Sequence, residues 1–273
     1  MFTTIFTLVA ILAFAWCVDV AEAQKFVTRG LVSFWTMDKS HITGNTLEDV
    51  WGKNDGTMEG DPKVVEGKIK EALEFDGKDD RVKIPHDPSI DFPKVPFSVE
   101  FWFNGNPNTI TGDYRIFCKG FGGGHGKRYE GELEGGVLFV VDDNVTKTLL
   151  NYPDGLNKIS DGTWHHWVFV RDIDKSKLRI YMDGEEVTTI DDATKIDISS
   201  TDPLWFASQD PNDPTADPKL RCPGIIDEFR IYNRALSKDE IQQNYKVTDN
   251  SNAVDAVGKL ISLWSQLKIP NTD

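Results

Sequence analysis

The chain has 273 residues, a formal charge of −14, 39% hydrophobic residues and 27% charged ones. Charges of both signs are interspersed, which argues against global disorder, and Lys and Arg form no stripe that could track phosphates, which argues against nucleic acid as a partner. Eight Trp and 16 Phe supply one sizeable core, and this length allows one or two domains, since all-β sandwiches often run past about 200 residues as one unit.

The apolar run Ile5 to Val18 precedes Ala21-Glu22-Ala23, an A-x-A pattern that places signal-peptide cleavage before Gln24. That run is too short to cross a bilayer comfortably, which takes about 20 apolar residues. No later segment could span a membrane once the signal is cleaved. The expected organisation is a signal peptide at 1–23, a secreted module at 24–246 and a tail at 247–273. Cleavage removes Asp19 and Glu22 with no base, taking the charge from −14 to −12.

From Gly30 onward the pattern predicts strands, in order Gly30–Asp38, Asn54–Gly60, Glu71–Phe75, Asp80–Pro85, Phe97–Asn104 and Arg115–Lys119. Gly136–Asp142, Thr163–Asp172, Lys177–Asp183, Glu185–Ile190, Leu204–Ser208 and Gly224–Tyr232 follow. Asp183-Gly184 between two of these runs is a hairpin signal. Phe97, Val99, Phe101 and Phe103 alternate with Ser98, Glu100, Trp102 and Asn104, so one side of that strand is apolar and the other mixed. Strict alternation in the last strand groups Ile225, Asp227, Phe229 and Ile231 on one face. Many short strands with one apolar side predict an all-β, two-sheet antiparallel sandwich. Ser237 to Glu240 reads as a capping box opening a short helix to about Tyr245. Beyond Asn252 the spacing of Val254, Val257, Leu260, Ile261, Trp264 and Leu267 predicts a C-terminal amphipathic helix.

Seven segments in order carry a resemblance: Gly30–Asp38, Asp49–Thr57, Ala72–Gly77 followed by Arg81–Pro85, Phe97–Phe103, Asp161–Trp167, Leu178–Gly184 and Gly224–Leu236. Together they resemble the laminin-G-like branch of the concanavalin A-like lectin/glucanase jelly rolls, over roughly residues 30–245. The resemblance implies two curved antiparallel sheets, often one calcium near the rim, and a role in binding carbohydrate or extracellular protein. It implies no particular ligand.

An inward-turned Asp227 needs either a cation or backbone N–H donors, because an unpaired buried carboxylate costs several kcal/mol. Asp38 and the loop opening at Asp49 are the expected partners in a calcium site, and the resemblance supports that placement. Glucanases of this fold carry E-x-D-x-x-E on one strand face, a pattern this sequence lacks. Glu132 and Glu134 are spaced i, i+2 in a Gly-flanked stretch, and Glu100 reads as a solvated strand residue. The expectation is therefore a binding module and not an enzyme, with a glycoside hydrolase or a structural adhesion protein as alternatives. His165 and His166 point to opposite faces and cannot hold one ion together. Aromatic side chains in loops are the candidate ligand contacts: Trp51, where related loops carry a small polar residue, and Phe121, His125 and Tyr129 around Gly122–Gly124. Cys118 and Cys222 remain after cleavage, and an exported pair reads either as a disulfide or as two buried thiols on strands that never meet.

Overall fold

The computed structural model describes residues 25–120, 126–194, 197–211 and 220–248. The signal segment, the C-terminal stripe and two candidate contacts, Phe121 and His125, lie outside the described residues.

The elements run β1 (Leu31–Trp35), β2 (Ile42–Thr43), β3 (Thr46–Leu47), β4 (Gly56–Glu59), β5 (Lys63–Glu66), β6 (Glu71–Asp76), β7 (Arg81–Ile84), β8 (Phe97–Asn104) and β9 (Tyr114–Gly120). They continue β10 (Arg128–Leu133), β11 (Val137–Asp142), β12 (Lys147–Tyr152), α1 (Gly155–Ile159), β13 (His165–Asp172), β14 (Lys177–Met182), β15 (Glu185–Asp191), β16 (Leu204–Phe206), β17 (Pro223–Tyr232) and α2 (Lys238–Tyr245). Sheet I has the order β15-β14-β13-β8-β17-β6-β5, with β1 also paired to β17. Sheet II has the order β12-β11-β10-β9-β16-β7-β4-β3-β2. The named strands pair antiparallel throughout, as the alternation predicts. At the β14–β15 hairpin both Asp183 (φ 52°) and Gly184 (φ 84°) take positive φ, the turn geometry that matches the twist of the flanking strands.

The inner faces meet in one aromatic core. Phe97, Val99, Phe101 and Phe103 of β8 point inward as their alternation requires. Phe101 stacks on Phe229 at 5.3 Å and 7°, and Phe117 of the opposite sheet meets both Phe169 and Phe229 edge-on. Such ring pairs add about 0.5–1.5 kcal/mol each beyond the area they bury.

Sheet I is also covered on its outer face. Phe26, Val27 and Leu31 from the N-terminal side, with Leu236, Ile241 and Val247 from the C-terminal side, close over Phe34, Val168, Val170 and Tyr232 as a second core. The helix α2 that supplies Ile241 begins at the predicted capping box: Ser237 Oγ accepts from Glu240 N at 3.3 Å, and Glu240 Oε2 accepts from Ser237 N at 2.9 Å. A strand face that looks half-polar in sequence is therefore buried.

Two expectations are corrected here. Strict alternation fails in β17, whose register against β8 shifts between Asp227 and Arg230, with Glu228 at φ 55°. This bulge puts Ile226, Phe229 and Ile231 in the core and turns Asp227 to the outer side, opposite Trp102. Nor is the disulfide formed, since Cys118 and Cys222 are both free and buried. Cys118 pairs with Trp205 between the inward Phe117 and the neighbouring core strand, so parity directs its thiol to the outer face of sheet II, whereas Cys222 packs within the core. The Cys118 thiol approaches Gly120 O at 3.5 Å and the Cys222 thiol Pro223 O at 3.6 Å.

Candidate functional site

The turn Gly67–Lys70, between β5 and β6, closes over the bulge of β17 and meets the chain just past β1. Asp227 Oδ2 accepts from Ile69 N at 2.9 Å and also from Lys68 N. The turn fits closely, because a β-carbon on Gly67 would lie 2.8 Å from Asp227 Oδ2 and 2.7 Å from the Glu71 backbone. Asp38 Oδ1 accepts from Glu71 N at 3.2 Å. Each carboxylate then has one oxygen, Asp38 Oδ2 and Asp227 Oδ1, that is buried without a hydrogen-bond donor. Lys70 Nζ and His41 Nδ1 stand 3.8 and 3.9 Å from Asp38 Oδ2.

Burial, followed by the charge on Glu228, pushes the Asp227 carboxyl well above its ordinary range. Asp38 adds to the push, and the Ile69 and Lys68 N–H groups oppose it. Two buried carboxylates that repel each other, each keeping an oxygen without a hydrogen-bond donor, fit a cation. Hard oxygen donors suit calcium, which takes six to eight oxygens; two carboxylates supply part of that set, leaving backbone oxygens and water for the remainder. Asp49 does not join them. Its Oδ1 accepts from Phe34 N (2.9 Å), Trp51 N (3.2 Å) and Gly52 N (2.9 Å), and its Oδ2 from Asn54 N (3.0 Å), so its carboxylate folds its own loop.

The described candidate ligand aromatics make packing contacts. Trp51 donates from Nε1 to Leu31 O at 3.0 Å and meets Phe26 edge-on at 6.5 Å, sealing the second core. Tyr129 is 1% exposed, packs on Phe97 at 4.9 Å and donates to Ile90 O at 2.9 Å. His166 is buried against Trp102, while His165 bonds Asp183 at 2.7 Å on the other side.

Glu100 is not solvated. It is fully buried, and its Oε1 accepts from Arg230 Nη1 (3.1 Å), Tyr232 OH (3.3 Å) and Asn244 Nδ2 (2.9 Å). Arg230 also pairs with Glu228, and its guanidinium lies over the rings of Phe34 and Phe26 at 4.2 and 4.6 Å. Burial pushes the Glu100 carboxyl up, and His166, Arg230 and Asn244 outweigh it and hold it at about 2.

A second charged cluster escaped the sequence reading because β10 was not expected. In β10, Arg128, Glu130 and Glu132 alternate with Tyr129, Gly131 and Leu133, a two-residue period masked by the glycine. The Phe117 ring occupies the space of a side chain at Gly131, where a β-carbon would sit 2.4 Å from it. On the outer face of sheet II, Arg128 Nε lies 2.6 Å from Glu130 Oε1, Arg115 Nε 3.3 Å from Glu130 Oε2, and Arg115 Nη1 3.4 Å from Glu132 Oε2. Burial and then Glu130 push the Glu132 carboxyl up to about 9, against Arg115 and Arg128. Glu132 therefore holds its proton at neutral pH. Glu134 lies past the strand end and is exposed.

The sequence model described as concanavalin A-like lectin/glucanases superfamily, of laminin-G type, matches residues 76–242. No curated protein sequence matches significantly. Among solved structures, the chain is similar to the binding domain of Paraclostridial Mosquitocidal Protein 1, at 16% identity and TM-score 0.60, over 80% of this chain and 52% of that one. It is also similar to the botulinum neurotoxin serotype D/C VPI 5993 binding domain, at 13% identity and TM-score 0.57, over 82% of this chain and 53% of that one. The receptor binding domain of botulinum neurotoxin D follows at 17% identity and TM-score 0.54, over 80% and 52%. The chain spans about half the length of these domains, and at such identities the likeness is one of fold.

Proposed function

The chain belongs to the concanavalin A-like lectin/glucanase superfamily, and from that premise we propose that it is a secreted, non-catalytic module recognising glycans or extracellular proteins, with calcium as a stabilising ion. The observation that carries the reading is the likeness of fold to domains named for binding and receptor binding. The oxygens of Asp38 and Asp227 that lack a hydrogen-bond donor support the calcium part. Support for secretion comes from the sequence, in the apolar run Ile5 to Val18 that precedes Ala21-Glu22-Ala23. The test is a glycan array and a panel of purified extracellular matrix proteins, each probed with calcium and with a chelator. Saturable binding that the chelator weakens supports the whole reading, and silence on both panels overturns it. N-terminal sequencing of exported protein checks secretion, with Gln24 as the expected first residue.

One observation favours a second reading, a glycoside hydrolase. Glu132, its carboxyl pushed up to about 9 chiefly by burial, stands beside Glu130, and such enzymes use two carboxyl groups of which one is kept protonated. Both side chains are buried and held by arginines, which favours a structural role for them. Reducing ends released from a polysaccharide panel, and their loss in Glu132→Gln, decide between the two.

A further inference from the structure

A cavity of about 440 Å³ opens between the end of β6, the end of β8 with its following loop, and the start of β17. Its polar walls are Asn104, Asn106, Asn108, Thr109, Glu74 and Asp76, with no Lys, Arg or His among the described lining residues. Such a wall, carrying two carboxylates, disfavours a phosphate, sulfate or carboxylate. Its amides and carboxylates instead both donate to and accept from neutral hydroxyl groups. Pro107, Pro223 and Ile225 add apolar surface against which the C–H face of a sugar ring can rest. A volume of this order lies within the range of ligand pockets.

The backbone of the cleft is closely packed. A β-carbon on Gly105 would lie 2.3 Å from Ile110 Cδ1 and from Ile159 O, and one on Gly224 would lie 2.5 Å from Phe103 Cζ. The backbone of both walls therefore rests directly on the core. The loop is fixed by its own bonds: Asn106 Oδ1 accepts from Asn108 N at 2.9 Å, Asn106 O from Ile110 N at 3.0 Å, and Gly105 O from Gly162 N at 2.9 Å. Among the described residues, the side-chain amides of Asn104 and Asn108 have no protein partner. With the loop backbone already held, only these side chains have to be ordered on binding.

We infer that this cleft takes a neutral hexose unit, with Asn104 and Asn108 bonding adjacent hydroxyls. The inference rests on the glycan-binding reading above and gives it a place in the fold. The test is a nitrogen-15 shift titration of the full chain with methyl α-mannoside, methyl β-galactoside and methyl β-glucoside, beside an array of neutral and acidic glycans. Shifts are expected at the side-chain amides of Asn104, Asn106 and Asn108 and at the backbone of Gly162 and Gly224. Asn104→Ala and Asn108→Ala are each expected to weaken binding about tenfold, the loss of one hydrogen-bonded contact, with the melting temperature unchanged. Array binding with shifts elsewhere, or binding confined to acidic glycans, overturns the cleft and leaves the glycan-binding reading standing. Silence on the array and in the titration overturns both.

Discussion

Asn244 Nδ2 lies 2.9 Å from both carboxylate oxygens of Glu100, across 144 residues of chain, while Asn244 Oδ1 accepts from Val27 N at 2.7 Å. One amide on α2 thus joins the central strand of sheet I to the segment that precedes β1. Arg230, Tyr232 and His166 gather on the same carboxylate. Breaking a buried ion pair by removing one partner is costly because the other charge stays behind unbalanced.

Glu100→Gln is expected to lower stability by about 3 kcal/mol, at the low end for a broken buried pair because Arg230 keeps Glu228. In a domain of this size that moves the melting temperature down by about ten degrees. Thermal denaturation of the variant checks it, and an unchanged melting temperature would contradict the network's structural role. The sign of the pH effect follows from the depressed Glu100 value of about 2 against 4.5 for the free group. Its stabilisation is complete above pH 4.5 and is lost as pH falls toward 2. The variant should lack that part of the acid transition.

Glu132 acts in the opposite sense. With a folded value near 9 against an ordinary 4.5, the folded state holds a proton that the unfolded chain releases across that window. Stability therefore falls as pH rises from 4.5 toward 9. Glu132→Gln mimics the protonated group, so denaturant midpoints of the variant should change less than wild type over this range. Parallel pH curves for the two proteins would count against a proton held on Glu132.

Calcium added at a hundredfold excess over its Kd should raise stability by about 2.7 kcal/mol if it binds only the folded chain. Asp227→Asn should abolish that gain. In chelator the same variant should melt no lower than wild type, because it removes a charge opposed by burial, Glu228 and Asp38. Melting curves with calcium and with chelator give the answer, and a calcium response retained by Asp227→Asn rules this cradle out.

Asp49→Ala should behave differently. It leaves four backbone N–H groups of the 34–54 region without their acceptor. Bonds to charged groups contribute about 1.5–3 kcal/mol each, so a loss of at least about 3 kcal/mol is expected. Whatever calcium midpoint the wild type has should be unaltered. A shift in that midpoint at constant stability would place Asp49 among the ion's ligands after all.

Two thiols beyond residue 24 should react with Ellman's reagent in denaturant without reductant, and neither in the folded protein. Both sit at 1% exposure or less, and burial pushes the Cys118 thiol well up. A titre of zero in denaturant would mean that the bridge forms.

Strand content, the inward row Phe97 to Phe103, the Asp183-Gly184 turn and the Ser237 cap were all legible in the sequence. Each depends on the local period of side chains or on the φ preference of one or two residues, and such rules act within a few positions. Tertiary structure alone decided that the outer face of sheet I is covered, which turned Glu100 from a surface residue into a buried hub. It also decided that the β17 bulge turns Asp227 away from the core and that Cys118 and Cys222 face opposite ways. Which groups share a site depends on register, on bulges and on what another stretch of chain lays over a strand, and all three are fixed by contacts between residues far apart in the chain.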